Sequence, residues 1–297
     1  MLVLGMPLPL VIAQIVNGIV VGSMYALFAS GLTLIWGTMR MLNFAHGEFF
    51  MIGGYILYYL YAVLGINPAL AAAAACVAVF LLGMLVERAI IHYLLSRPVW
   101  QLTTIIATLG VSVFLQNAAL HVWGPNFQNV PYFINGVLIV AGVRIAWQRL
   151  LILAVSVTAI AVMWFILKFT RFGLAMRATA QDADAARLYG VNVLGIYTLT
   201  FGLSAALAAL AAAMMAPITA VNPFMGLSPL LKGFVVVILG GLGSFTGAIA
   251  GGVLLGVVES LGVLYSSTEW RDVIAFSFLV LIIWIRPWGL FGVQERS

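Results

Sequence analysis

The sequence predicts an all-α polytopic membrane protein of about eight transmembrane helices, including a broken or re-entrant helical pair near 231–263. Composition is the first sign: 64% of the 297 residues are hydrophobic and 7% are charged, a balance that no ordinary water-facing surface has. Spacing is the second, because no Asp, Glu, Lys or Arg occurs in 1–39, 49–86, 98–143, 150–167, 188–231, 233–258 or 273–285. A spanning helix needs about 20 apolar residues, and several of these runs hold more than one crossing. Third, turn signals and charges divide the runs at intervals suited to helices.

The first run, Met1–Met39, carries no charge and so lacks the basic start of a signal peptide, and the N-terminus is expected to be retained. It carries a helix near 10–36. A second lies near 43–64, and Asn67-Pro68 opens a third near 69–90. That third helix holds the single cysteine, Cys76, expected to pack as a small apolar residue. A fourth near 101–121 stops at Gly124-Pro125-Asn126, and a fifth occupies 147–168. A sixth near 194–217 is followed by Asn222-Pro223, a shorter pair near 231–241 and 247–263 flanks Gly240-Gly241-Leu242-Gly243-Ser244, and a last helix covers 270–286. No soluble domain is left over, and 1–297 reads as one transmembrane domain.

Cytoplasmic loops gather Lys and Arg. Lys168–Arg187 holds four of them, Arg88–Arg97 two, and the C-terminus adds Arg286 and Arg296. Placing these regions on one side puts the N-terminus outside and the C-terminus in the cytoplasm, with nine of the thirteen basic residues inside when Arg40 is counted. Gly18-xxx-Gly22, Gly247-xxx-Gly251 and Gly252-xxx-Gly256 are candidates for close helix crossings, although single matches also arise from the general frequency of glycine in membrane helices. The basic residues form no run and are not interleaved with aromatics, which argues against nucleic-acid binding.

Three patches carry the functional reading. The first is the polar stretch Thr170–Asn192, read as a short amphipathic helix at the cytoplasmic surface that stops at Gly190. It is either a solvated positive loop or a handle for a partner. Within it, Asp184-Ala185-Ala186-Arg187-Leu188-Tyr189-Gly190 resembles the Glu-Ala-Ala-xxx-Gly loop with which ABC importer permeases engage their ATPases, with Asp in place of Glu. The second patch is Gly31–Phe50, which sets Asn43, His46 and Glu48 at the start of an apolar helix. Such groups are costly in lipid and face a cavity or partner, or else cap the helix start. Asn43 and His46, three apart, are expected to share a helix face, with Glu48 pointing elsewhere.

Leu42-Asn43-Phe44-Ala45-His46-Gly47-Glu48 resembles the signature of the LivH-type permeases of branched-chain amino acid importers. The third patch, Val235–Ala248, is a glycine-broken helix, and Gly240–Ser244 and Arg286–Gly292 resemble the same family. A broken helix either offers backbone polar groups to a substrate or merely turns the chain. The Gly240–Gly243 run has no following Lys-Ser/Thr, and the histidines match no zinc pattern, so no nucleotide site, metal site or catalytic residue is expected. Glu259 is a lone carboxylate in an apolar stretch, either functional or resting at the outer interface without a partner.

The resemblance implies a permease subunit forming half of the path for branched-chain or other hydrophobic amino acids in the bacterial inner membrane. It implies a second homologous permease, two cytoplasmic ATPases that use ATP and Mg, an extracytoplasmic binding protein and surrounding lipid as partners. It assigns ATPase coupling to a loop at about 169–193, through Arg177, Asp182, Asp184, Ala185, Ala186, Arg187 and Gly190. The path or permease interface falls to Asn43, His46, Glu48, Gly240, Gly241, Gly243, Ser244 and Glu259. Lys232, Arg144, Arg149 and Arg271 are candidates for docking the binding protein or for interfacial anchors. The alternatives are a stand-alone ion-coupled transporter or channel, and an ABC permease for amides, urea or aromatic acids.

Overall fold

The chain is a succession of apolar helices whose ends are set by side-chain caps and glycines. A computed structural model describes residues 2–3, 6–95, 99–140 and 143–292. After a minimal strand pair, β1 (Leu2–Val3) and β2 (Met6–Pro7), come α1 (Leu8–Met39) and α2 (His46–Leu57), the latter extended by a π-helical turn over Tyr58–Val63. Next is α3 (Pro68–Val86), prolonged by a π-helical stretch Glu87–Ile91 into α4 (His92–Leu94) and followed by α5 (Trp100–Trp123). An antiparallel hairpin, β3 (Val137–Val140) and β4 (Val143–Ala146), pairs Val137 with Ala146 and leads into α6 (Trp147–Phe169). Two short helices, α7 (Arg171–Gln181) and α8 (Ala183–Leu188), precede α9 (Val193–Met215), and α10 (Leu227–Gly240), α11 (Phe245–Gly262) and α12 (Arg271–Ile285) complete the chain.

Among the described residues, six helices are long and apolar enough to cross a membrane, the prolonged α3 being counted through Leu94, and α10 is a shorter apolar helix. All nine apolar segments read from the sequence are present, with ends within about four residues of expectation, the usual tolerance for helix boundaries. The caps explain this precision. The Asn67 side chain accepts from Ala69 N at 2.9 Å with Pro68 in the first turn, and α5 stops at Gly124, whose φ of 74° suits glycine. The β3–β4 hairpin is not foreshadowed in the sequence, because its strands are four residues each, almost wholly apolar and without alternation, and lie in what reads as a loop.

α1 is the central pillar. Its 32 residues reach about 48 Å at 1.5 Å per residue, well beyond the ~30 Å hydrocarbon layer. All three glycine motifs mark close crossings. A Cβ on Gly18 would lie 2.7 Å from Val257 Cα, and one on Gly22 would lie 2.7 Å from Gly252 O, so Gly18/Gly22 and Gly252/Gly256 join α1 to α11. The other small face of α11, Gly247/Gly251, receives α10 at Gly240 and Val236. α11 is thus clasped from two sides by backbone contact, the packing that replaces the hydrophobic effect in lipid. α9 seats α2 and α3 in the same way, with Gly53 against Ala209 and Gly83 against Ala205.

Two irregular segments interrupt this bundle. Arg40, at φ 52°, ends α1, and the chain turns back before α2 starts at His46 beside Phe28 and Gly31. Those residues lie 8 and 11 positions before Met39, about 12–17 Å along α1, which is the bilayer midplane if Met39 marks its edge. On the other side, the chain after α9 lays Val221 and Met225 against Gly54 and brings Gly226 onto Gly47. α10 therefore begins beside the start of α2, at the same depth.

Candidate functional site

The starts of α2 and α10 meet at the centre of the bundle, where the polar residues of 43–48 are collected. His46 is fully buried. Its Nε2 lies 3.2 Å from Phe28 O, a group that can only accept, so Nε2 carries the proton of this hydrogen bond. Its Nδ1 is 3.3 Å from Ser204 Oγ, whose hydroxyl donates to Gly31 O at 2.7 Å. His46 thereby ties α2 to α1 and α9.

Glu48 points the other way, as expected, and its Oε1 accepts from Ser112 Oγ of α5 at 3.0 Å. Its Oε2 is buried with no hydrogen-bond partner, and the same holds for Asn43 Nδ2. Unsatisfied buried polar atoms are costly in a low-dielectric interior, so two within one short segment mark a place built for something besides packing. Asn43 departs from expectation. It precedes the helix, its Oδ1 accepting from Ala45 N at 3.0 Å, and the N-cap position is Ala45, which makes no side-chain cap. The shared helix face of Asn43 and His46 is therefore corrected to a loop residue followed by a helix residue.

A second polar cluster joins α1, α10, α11 and α12. Lys232 Nζ lies 3.1 Å from both carboxylate oxygens of Glu259 and from Asp272 Oδ1, and it donates to Tyr25 OH at 3.1 Å. Tyr25 OH in turn donates to Glu259 Oε2 at 3.0 Å, and Arg271 Nε stands 3.9 Å away from that oxygen. The charges of Lys232 and Arg271 balance those of Glu259 and Asp272. Two expectations from the sequence are corrected by this cluster. Glu259 does not rest unpartnered at an interface, and Lys232 is buried within the bundle and cannot dock a partner, because burial of each is sustained by the other.

At the far end from this cluster, the polar loop folds as two helices, with the break at Asp182. The Asp182 carboxylate accepts from Asp184 N and Ala185 N at 2.9 and 3.0 Å and so starts α8. Thr170 caps α7 and Asn192 caps α9 in the same manner. Gly190, at φ 82°, ends α8 as expected, with Val191 N bonded to Ala186 O at 3.0 Å. Asp184 and Arg187 form an exposed ion pair at 2.9 Å, and Ala185 is half-buried.

Ala186 is turned inward at 4% exposure, so it packs the helix onto the bundle and is not itself a contact for a partner. Leu188 and Tyr189 are each 90% exposed. Sequence reasoning misses these two, because apolar residues beside a glycine stop read as part of the packed face. Arg177 is exposed and donates to Leu167 O.

Gly240, Gly241, Gly243 and Ser244 do not join Asn43, His46 and Glu48. They form the tight turn between α10 and α11, with φ of 100° and 81° at Gly241 and Gly243, and Ser244 caps α11 by accepting from Gly247 N at 3.1 Å. The final segment closes over this turn: Leu290 N and Phe291 N donate to Leu239 O and Gly240 O at 2.8 and 3.0 Å, satisfying carbonyls at the end of α10. The irregular backbone that leads to the polar centre is instead at 40–45 and 216–226. Sequence reasoning also misses Glu87, fully buried in the π-helical stretch after α3, which accepts from Thr198 Oγ1 of α9 at 2.5 Å. A carboxylate next to Arg88 gives no local sign of such burial. Arg97 and Arg296 lie outside the described residues.

An all-α polytopic bundle, with interrupted backbone and orphaned polar atoms at its centre, defines the class: a multi-pass transport protein of the membrane. Residues 14–283 match the family described as the branched-chain amino acid transport system permease component, and the chain belongs to that family. It is 36% identical to the high-affinity branched-chain amino acid transport system permease protein LivH of Salmonella typhimurium, covering 95% of this chain and 96% of that protein. Against the corresponding protein BraD of Pseudomonas aeruginosa identity is 37% over the same shares. A probable LivH of Methanocaldococcus jannaschii is 25% identical over 95% of this chain and 92% of its own length.

Proposed function

We propose that this chain is the transmembrane permease subunit of an ATP-driven ABC importer and forms half of the path for branched-chain or other hydrophobic amino acids. The observation that carries the reading is α8: a helix capped at both ends that holds two large apolar side chains, Leu188 and Tyr189, almost fully in solvent. Exposed apolar anchors on a short rigid element suit insertion into a partner's groove. α7–α8 packs against α1, α6 and α9, so a push on α8 is delivered to the central pillar.

The partners proposed are two cytoplasmic ATPases that use ATP and Mg, a second, homologous permease and an extracytoplasmic binding protein. Asp182, Asp184, Ala185, Arg187 and Gly190 shape the coupling helix, Arg177 braces it on α6, and Leu188 and Tyr189 make the contact. Lys168, Arg171, Arg177 and Arg187 lie at this end, which by the positive-inside bias is cytoplasmic. The N-terminus is then outside and the C-terminus inside. Asn43, His46 and Glu48 lie on the path or at the permease interface, with Glu48 reaching it through α5. The relatives' names favour branched-chain amino acids over amides, urea or aromatic acids.

The test is transport by Leu188→Asp combined with Tyr189→Asp. Loss of two interfacial anchors is expected to lower uptake by at least about tenfold, with expression and thermal unfolding unchanged. Uptake at the parent level would reject the coupling role and favour a carrier that works alone.

A further inference from the structure

Between the ends of α1 and α6, the helix α7 and the start of α11 lies a cavity of about 420 Å³ whose lining joins opposite chemistries. Lys168 and Arg177 contribute two positive charges, the Thr33 and Thr38 hydroxyls are spent on Ala29 O and Leu34 O, and no acidic side chain lines it among the described residues. The first turn of α11 opens onto it through Phe245 and Thr246, and a helix N-terminus carries about half a positive charge. Trp164, Leu34 and Met176 supply apolar wall, and Lys168 Nζ stands 4.7 Å from the centroid of the Trp164 ring. A cavity of this make-up takes an anion attached to something apolar.

The cavity does not end at Thr246. That residue also begins an open apolar groove along α11, continued by Ile249, Ala250, Val253, Leu254 and Val257. Thr246 and Val257 are eleven positions apart, about 16 Å at 1.5 Å per residue. One leaflet is half of the ~30 Å hydrocarbon layer, so the groove has the length of one acyl chain in one leaflet. Groove and cavity are joined in the right order, with the positive charges at the membrane edge and the apolar track running inward.

We propose that this is a binding site for an anionic phospholipid of the leaflet on the α7–α8 side, with its phosphate between Lys168, Arg177 and the start of α11 and an acyl chain along 246–257. The occupant is a lipid, since a free phosphate would leave the groove empty, and its headgroup is net anionic, since a zwitterionic lipid would bring its own ammonium beside two cations with no acidic side chain to receive it. Because α1, α6, α7 and α11 all contribute, the bound lipid bridges the coupling helices to the central pillar. The site depends on the fold and not on the coupling role of α8, so the two fail separately.

Native mass spectrometry of the full chain, purified in a non-ionic detergent with whatever accompanies it, tests this directly. Phosphatidylglycerol, phosphatidylethanolamine and inorganic phosphate are added in turn. Phosphatidylglycerol is expected to be retained at least about fivefold better than phosphatidylethanolamine, the effect of one basic residue near an anionic headgroup. Lys168→Gln should remove that preference and Lys168→Arg should keep it. Ala250→Trp, which fills the groove without touching charge, should lower phosphatidylglycerol retention, and circular dichroism confirms that each variant is folded. Equal retention of the two lipids, or a preference that survives Lys168→Gln, would overturn the proposal. Displacement of phosphatidylglycerol by inorganic phosphate at equal concentration would assign the cavity to a free anion and overturn it equally.

Discussion

Lys232 and Glu259 show why single charges in an apolar stretch must be read in pairs. Each is visible in the sequence as an isolated charge, 27 positions apart, but their partnership depends on how α10 turns back onto α11 and on where α12 presents Asp272. No local pattern encodes that register. Glu259→Ala leaves a buried ammonium with only the exposed Asp272 carboxylate and the neutral Tyr25 hydroxyl beside it, and removal of one member of a buried pair costs about 3–5 kcal/mol. The variant is expected to lose stability in detergent, read by thermal unfolding, while Lys232→Met with Glu259→Leu recovers most of it. A double variant as unstable as the single one would mean that the charges do more than balance one another.

Glu48 behaves differently, because one of its oxygens has no partner. Glu48→Gln keeps an acceptor for Ser112 and removes the ionisable group, so uptake is expected to fall by about tenfold, about 1.4 kcal/mol, without loss of assembly. Normal transport by this variant would return Glu48 and His46 to anchoring the helix start.

Among the elements, the glycine-faced helices are the most legible part of the chain. Gly18/Gly22 and Gly252/Gly256 are spaced so that each pair falls on one helix face, and the structure presses those faces together. A Cβ on Gly252 would stand 2.5 Å from Ala26 N, a backbone atom that cannot move aside alone. Gly252→Leu is therefore expected to destabilise by at least about 1–3 kcal/mol, the range typical of overpacking, and to lower the unfolding temperature of the purified protein. An unchanged unfolding temperature would show that α1 and α11 can separate without cost.

The helix ends are legible too, because Asn67-Pro68, Asn192 and Gly190 act through local geometry. The unwound segments 40–45 and 216–226 are not. Asn222-Pro223 marks a break within the second, but no glycine or proline marks the first, and both stay irregular over their full length because α2 and α10 start against one another at Gly47 and Gly226. The exposure of Leu188 and Tyr189 is illegible for a related reason: an apolar residue reads as buried until the partner it awaits is considered.

At the scale of the whole molecule, the single bundle leaves no nucleotide-binding fold among the described residues, and its family is one of transport permeases. On the proposed importer reading, energy for vectorial transport enters through a surface, and α7–α8 is the element whose shape suits that role. α1 links this end to the polar centre at His46 and to the ion cluster at Tyr25, so displacement of α8 has a continuous packed route to both. The composition and the uncharged runs already imply the membrane and the helix count. The assembly is not written in this chain alone.

Affinity capture of the full chain from its native membrane, followed by identification of co-purifying proteins and transport assays in liposomes, tests the importer reading most directly. Recovery of a second, similar permease with two ATPases is expected, together with uptake that requires ATP. Recovery of the chain alone, still transporting in liposomes without ATP, would contradict the importer.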